Sequence, residues 1–96
     1  MTFRTTVRAD QDIVDLYVDG AQQFGIDMAE RYHEGLMSLL ELLGSNPRMD
    51  RLRQEFTPPV RMHAYRSHQV VYVEDGPGVL IVRVLHSRQD WQTVLN

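Results

Sequence analysis

The chain has 96 residues, no cysteine, a net charge of −3 and an apolar fraction of 43%. The missing cysteine excludes a disulfide framework and any thiolate zinc site, the apolar fraction excludes disorder, and no apolar run approaches the roughly 20 residues of a membrane span. One domain is expected over residues 1–96, in the cytoplasm, because Met1-Thr2-Phe3-Arg4-Thr5-Thr6 lacks the apolar core of a signal peptide.

All ten basic residues are arginine. A planar, permanently charged fork suits recognition of carboxylate or phosphate better than general-base work. A mildly acidic chain is a poor sequence-independent binder of nucleic acid, where phosphate attraction dominates affinity. Arg48, Arg51, Arg53, Arg61 and Arg66 nevertheless fall together in the middle third. They either offset the acidic helices or meet a partner.

In chain order, Phe3, Thr5 and Val7 alternate with Arg4, Thr6 and Arg8, the period-two pattern of a half-buried edge strand. Asp10 is a candidate cap for a first helix, with Ile13, Leu16, Tyr17, Gly20, Ala21 and Phe24 on one stripe. Gly20 and Ala21 would let a second helix approach closely, and Gly25 supplies the turn. Asp27 and Glu30 resemble a capping box opening a second helix. Its stripe is Met28, Ala29, Tyr32, Leu36, Leu39, Leu40 and Leu43, and Gly44 is its expected terminator. Met37 and Leu42 widen that apolar face, either as deeper core or as an exposed groove.

Residues 47–59 read as irregular, and Pro58-Pro59 forces an extended backbone into the next element. Val60–Tyr65 and His68–Glu74 read as strands around an Arg66-Ser67 turn. Asp75-Gly76-Pro77-Gly78 is the next reversal, lengthened by its Pro-Gly pair. Val79–Leu85 is an almost continuous apolar run, the signature of an interior strand buried on both faces. Asp90 then caps a short helical turn from Trp91 to Leu95. The order β-α-α-β-β-β predicts an α+β, two-layer fold, with an antiparallel sheet covered on one face by the helical hairpin.

Few residues suggest chemistry. His63, His68 and His86 could share a sheet face, but no dense metal-ligand spacing accompanies them, and no metal or cofactor is expected. His33 is expected in solvent on the polar side of the second helix. Ser67 and Ser87 adjoin histidines without the strand-turn-helix glycines of an exposed nucleophile. Arg83, inside the best strand, must reach the sheet's open face or pair with a carboxylate, because an unpaired buried guanidinium is very costly. Arg88 and Asp90 are either a local ion pair or, with Trp91, an anchor surface of the kind found at binding hot spots.

Arg83-Val84-Leu85-His86-Ser87-Arg88-Gln89-Asp90, after Val70-Val71-Tyr72, closely resembles the end of ParE-type toxins of the RelE/ParE superfamily. Gln23-Phe24-Gly25, Ala29-x-x-Tyr32, Asn46-Pro47 and the terminal Arg-Gln-Asp-Trp extend the likeness along the chain. The resemblance implies the superfamily's β-α-α-β-β-β fold and a toxin that binds DNA gyrase and is held inactive by a ParD-like antitoxin in a hetero-oligomer. Its RelE-type relatives cleave messenger RNA on the ribosome with lysines, arginines and a C-terminal tyrosine. Here lysine is absent, Ala64 stands near one expected arginine, Val94 near the tyrosine, and Arg88 alone is retained. The implied activity is therefore binding, without catalysis. Arg83, His86, Arg88, Asp90 and Trp91 are the expected target contacts, and Leu16, Phe24, Met37 and Leu42 the expected antitoxin groove.

Overall fold

A computed structural model describes residues 2–95. Its elements are β1 (Phe3–Thr5), α1 (Val7–Phe24), α2 (Ile26–Ser45), β2 (Leu52–Arg53), β3 (Val60–Tyr65), β4 (His68–Asp75), β5 (Gly78–His86) and α3 (Trp91–Leu95). One five-stranded sheet runs β1-β5-β4-β3-β2. The meander β3-β4-β5 is antiparallel, but β1 runs parallel to β5, so the sheet is mixed rather than wholly antiparallel. A parallel neighbour needs a long crossover, which the two helices and the meander together supply. β1 lies at an edge, as its alternation predicts, although it is shorter than that pattern suggests.

β5 is interior and both its faces are covered. On the helical side Val79, Ile81 and Val84 join Ile13, Leu36, Leu40, Leu43, Val70 and Tyr72. On the other side Leu85 joins Phe56, Val60, Met62 and Val71, with Trp91 and Leu95 packed against them. The C-terminal helix and the residues before β3 therefore close the face that the helical hairpin leaves open. The short edge strand β2 lies inside the stretch read as irregular, and two residues are too few for periodicity to reveal.

Several helix signals act differently from expectation. Thr6, not Asp10, caps α1: its hydroxyl accepts from the Ala9 N–H at 3.0 Å. Asp10 sits inside the first turn and accepts from the Thr5 hydroxyl. Asp27 does not cap α2 either. Gly25, at φ +92°, joins the two helices alone; its N–H closes α1 on Ala21 and its carbonyl accepts from Ala29. Gly44 remains helical and buried, because Thr2 crosses directly over it. The Asp75–Gly78 reversal is not lengthened: Asp75 and Gly78 are register partners, leaving Gly76-Pro77 as a two-residue turn with Gly76 at φ +57°. As anticipated, Gly20 faces α2, where an added Cβ would sit 3.8 Å from that of Ala29.

The helical layer is fastened to the sheet at one bulge. Opposite Val71 and Tyr72 the register skips a residue of β5, from Arg83 to Ile81, leaving Val82 extra. The Thr6 hydroxyl that caps α1 donates to the Val82 carbonyl at 2.7 Å, and the Thr6 N–H donates to Ile81. Asp12 accepts from the Val84 N–H at 2.9 Å and from both Nε and one terminal nitrogen of Arg83, at 2.7 and 3.1 Å. The side chains of this ion pair are only 14% and 15% exposed, so the attraction is weakly screened. Replacing Asp12 with Ala would leave a nearly buried guanidinium and a main-chain N–H without their acceptor. A loss of about 3 kcal/mol is expected, read as a lower urea midpoint at unchanged slope. Asp12→Asn, which keeps an acceptor oxygen, should lose less.

Candidate functional site

At the carboxyl end of β5 the chain turns sharply into α3, and His86 organises the turn. Its N–H donates to the Gln89 side-chain oxygen at 2.9 Å, and its carbonyl accepts from the Gln89 N–H at 3.0 Å and from Trp91 Nε1 at 3.3 Å. Its Nδ1 accepts from the Arg88 N–H at 3.1 Å, which requires the ring proton to sit on Nε2. Asp90 caps α3 as expected, accepting from the Thr93 N–H at 3.5 Å and from the Thr93 hydroxyl at 2.7 Å. Arg88 and Asp90 are not an ion pair; Arg88 is exposed and makes no side-chain ion pair among the described residues. Trp91 is half-buried against the second core cluster.

His86, Arg88, Asp90 and Trp91 are thus gathered at one end of the sheet, while Arg83 is not available to join them. Its fork is closed on Asp12, and it works as a tie between sheet and helix.

His68 faces His86 across the β4–β5 pair, with ring centres 5.3 Å apart and edge to face. The hydroxyl of Tyr32, on α2, lies 2.7 Å from His68 Nδ1 and donates toward the Tyr65 carbonyl at 3.2 Å. In return the Tyr65 hydroxyl donates to the Tyr32 carbonyl at 3.0 Å, passing over Gly35, where any Cβ would collide with it. The neighbouring turn, held by Ser87 N–H to the Ser67 carbonyl at 2.8 Å, presents Arg66, whose guanidinium lies 5.9 Å from the Tyr65 ring centre. The ring cluster was not legible in the sequence, because nothing local pairs Tyr32 with residues more than 30 positions away.

His63 does not join this cluster. It bonds the Asp50 carboxylate at 2.9 Å, which also accepts from the buried Tyr72 hydroxyl at 2.6 Å. Burial, reinforced by Asp50, pushes the Tyr72 hydroxyl far above the ordinary phenol range, so it stays protonated and donates to Asp50. Asp50 escaped notice because it lies in the irregular stretch before β3. Of the middle arginines, Arg48 and Arg61 meet Glu74, and Arg51 and Arg53 lie 3.8 Å from Glu55. Among the described residues no group of three or more His, Asp or Glu is placed to hold a metal ion, and no helix is long and apolar enough to cross a membrane.

The expected groove residues separate. Leu16 and Met37 pack against the helical-side core, whereas Phe24 and Leu42 are 68% and 48% exposed. Phe24 ends α1 and Leu42 lies near the far end of α2, so the antiparallel hairpin holds them about 24 Å apart, at 1.5 Å per residue from Ile26. They do not line one groove. His33, expected in solvent, is half-buried with its ring edge-on to Tyr17, 6.0 Å between centres.

Residues 3–91 match the family described as the ParE toxin of the type II toxin–antitoxin system parDE. The chain belongs to the ParE toxin family. It is 36% identical to Toxin ParE1 of Mycobacterium tuberculosis (strain ATCC 25618 / H37Rv) over 69 residues, 71% of this chain and 70% of that protein. Toxin ParE1 of Caulobacter vibrioides is 31% identical over 84 residues, 88% and 86% of the two chains. A solved structure of a chromosomal ParDE system from P. aeruginosa shares the fold, with a TM-score of 0.76 over 90% of this chain and 95% of that one, at 17% identity.

In this ParE-family chain the ring cluster has a pH signature. Burial first, and then the neighbouring His86, hold His68 below the ordinary histidine value, while Asp12 opposes them. The unfolded chain therefore takes up this proton more readily than the folded one, and stability falls as pH drops through about 6.5. His68→Gln should make the urea midpoint fall less between pH 7.5 and 5.5 than it does in the parent protein.

Proposed function

We propose that this ParE toxin acts by binding, that its target is DNA gyrase, and that a ParD-like antitoxin neutralises it in a cytoplasmic hetero-oligomer. The observation that carries the reading is the end of the sheet built on His86. There Arg88 stands exposed beside a half-buried Trp91 on a turn fixed by four hydrogen bonds to one residue. Arginine and tryptophan on a rigid support suit a protein contact, because little side-chain or loop freedom is lost on binding. Asp90 contributes by capping α3, and Arg66 adds a second cation on the adjoining turn.

The same end is poorly equipped for RNA cleavage. Such chemistry needs a free general base and acid, with cations around the scissile phosphate. His68 already engages Tyr32 through Nδ1, and His86 holds the Arg88 N–H through its own. Lysine is absent, and Val94 and Ala64 carry no functional group. Charge also favours two partners, since five of the seven exposed arginines lie outside the acidic helical hairpin. Family membership and the solved ParDE relative support the antitoxin.

Purified toxin should inhibit supercoiling by gyrase, and the ParD-like protein of the same operon should relieve the inhibition. Arg88→Ala should raise the inhibitory concentration about tenfold, the effect of losing roughly 1.4 kcal/mol of contact energy. Discrete cuts at the ribosomal A site in primer extension on translated messages would overturn the binding reading. Unimpaired growth on expression of the toxin alone would point to an assembly module without a target.

A further inference from the structure

The two hairpins of the meander reverse in the same way with different residues. Asp75 pairs with Gly78 around Gly76-Pro77, and Tyr65 pairs with His68 around Arg66-Ser67. The first turn residue has a positive φ in both, +57° at Gly76 and +51° at Arg66. Glycine meets that demand freely, whereas an ordinary side chain there is strained. Packing offsets little of the strain. Arg66 is exposed, and its guanidinium rests 5.9 Å from the centre of the Tyr65 ring, a weak contact in solvent. An arginine where the twin turn has glycine points to a use for its side chain.

Charge identifies that use. Arg4, Arg48, Arg51, Arg53, Arg61 and Arg83 meet carboxylates, and the other four arginines make no ion pair among the described residues. Of these, Arg8 and Arg31 lie on the acidic helices α1 and α2. Arg66 and Arg88 lie on two turns joined by the Ser87 N–H to the Ser67 carbonyl at 2.8 Å, each one residue from that bond. Two free guanidinium forks therefore leave adjoining, hydrogen-bonded backbone, and each can take a carboxylate through two parallel bonds. Half-buried Trp91 and exposed Val94 follow on α3 and add apolar surface to the same end. A nucleic acid fits less well. Its affinity grows with the number of phosphates neutralised, two cations neutralise few, and the chain's net charge of −3 opposes a long polyanion more than a short one.

We propose that Arg66 and Arg88 together hold a short acidic segment of the target protein, one carboxylate in each fork, with an apolar side chain of that segment against Trp91. This rests on the binding reading above and adds the chemistry of the bound segment. Because one segment bridges both forks, the two arginines act as a coupled pair.

Trp91 is the chain's single tryptophan, so its fluorescence reports on this end of the purified full-length toxin. At low salt, a peptide of glutamates around one leucine should shift the emission to saturation, and its lysine counterpart should not. Arg66→Gly and Arg88→Ala should each weaken the acidic peptide about tenfold, and the double variant should lose less than the product of the two. Arg66→Gly removes fork and strain together, so its urea midpoint should hold or rise while binding falls. Arg8→Ala and Arg31→Ala should change neither. In gyrase supercoiling, Arg66→Gly should raise the inhibitory concentration about as much as Arg88→Ala. An emission unmoved by the acidic peptide, or moved equally by the lysine peptide, would overturn the proposal. So would tighter binding of a thymidine oligonucleotide of equal charge, which would make the occupant a nucleic acid. Parent-like inhibition of gyrase by Arg66→Gly would overturn it while leaving the gyrase reading intact. Binding of the acidic peptide by a parent toxin that does not inhibit gyrase would sink that reading instead and leave the acidic-segment assignment standing.

Discussion

The structure depends on how Thr6 and Asp12 grip a bulge in β5. A bulge interrupts the regular exchange of hydrogen bonds between strands, and the start of α1 supplies partners there through one hydroxyl and one carboxylate. Asp12 does two things at once: it accepts a main-chain N–H and neutralises Arg83. Helix capping, strand geometry and the only layer-crossing arginine pair are thereby one arrangement among the described residues. Removing any member leaves the others with a desolvated, unsatisfied group, which is why a single carboxylate weighs so heavily in a domain of this size.

From this joint the functional end follows. Past the joint at Val82–Val84, β5 stays paired with β4 through Leu85 and His86 and so carries His86 to the start of the turn. Tyr32 and Tyr65 exchange hydroxyl-to-carbonyl bonds across the α2–β3 gap, holding the β3–β4 turn beside it. Two turns, one between β3 and β4 and one between β5 and α3, thus present Arg66, Arg88 and Trp91 from a rigid base. Eight of the thirteen carboxylates, in contrast, lie on the helical hairpin, so the two layers differ in net charge.

Much of this was legible in the residues. Apolar periodicity placed both long helices, the three-stranded meander and the interior position of β5, since each is written in spacings of two or of three and four. That Arg83 needed either the sheet's open face or a carboxylate followed from electrostatics alone; that Asp12 would be its partner did not, because Asp12 lies 71 residues away and is indistinguishable locally from Asp15 or Asp19. The capping signals misled for a related reason. Asp10 and Asp27 are good caps, but Thr6 is drawn to Val82 and Gly25 to a positive φ that other residues resist. Gly44 reads as a terminator, yet it is glycine because Thr2 passes over it, a tertiary demand invisible along the chain.

The bulge also sets a schedule for synthesis. The helical hairpin can close once Ser45 has been made, but Thr6 and Asp12 must wait for Val82, Arg83 and Val84. At about 5–20 residues per second the interval lasts roughly 2 to 8 seconds. Throughout it, Ile13, Leu36, Leu40 and Leu43 belong to a hairpin whose sheet does not yet exist. Until β5 is added, the face of the hairpin that these side chains form has nothing to bury it.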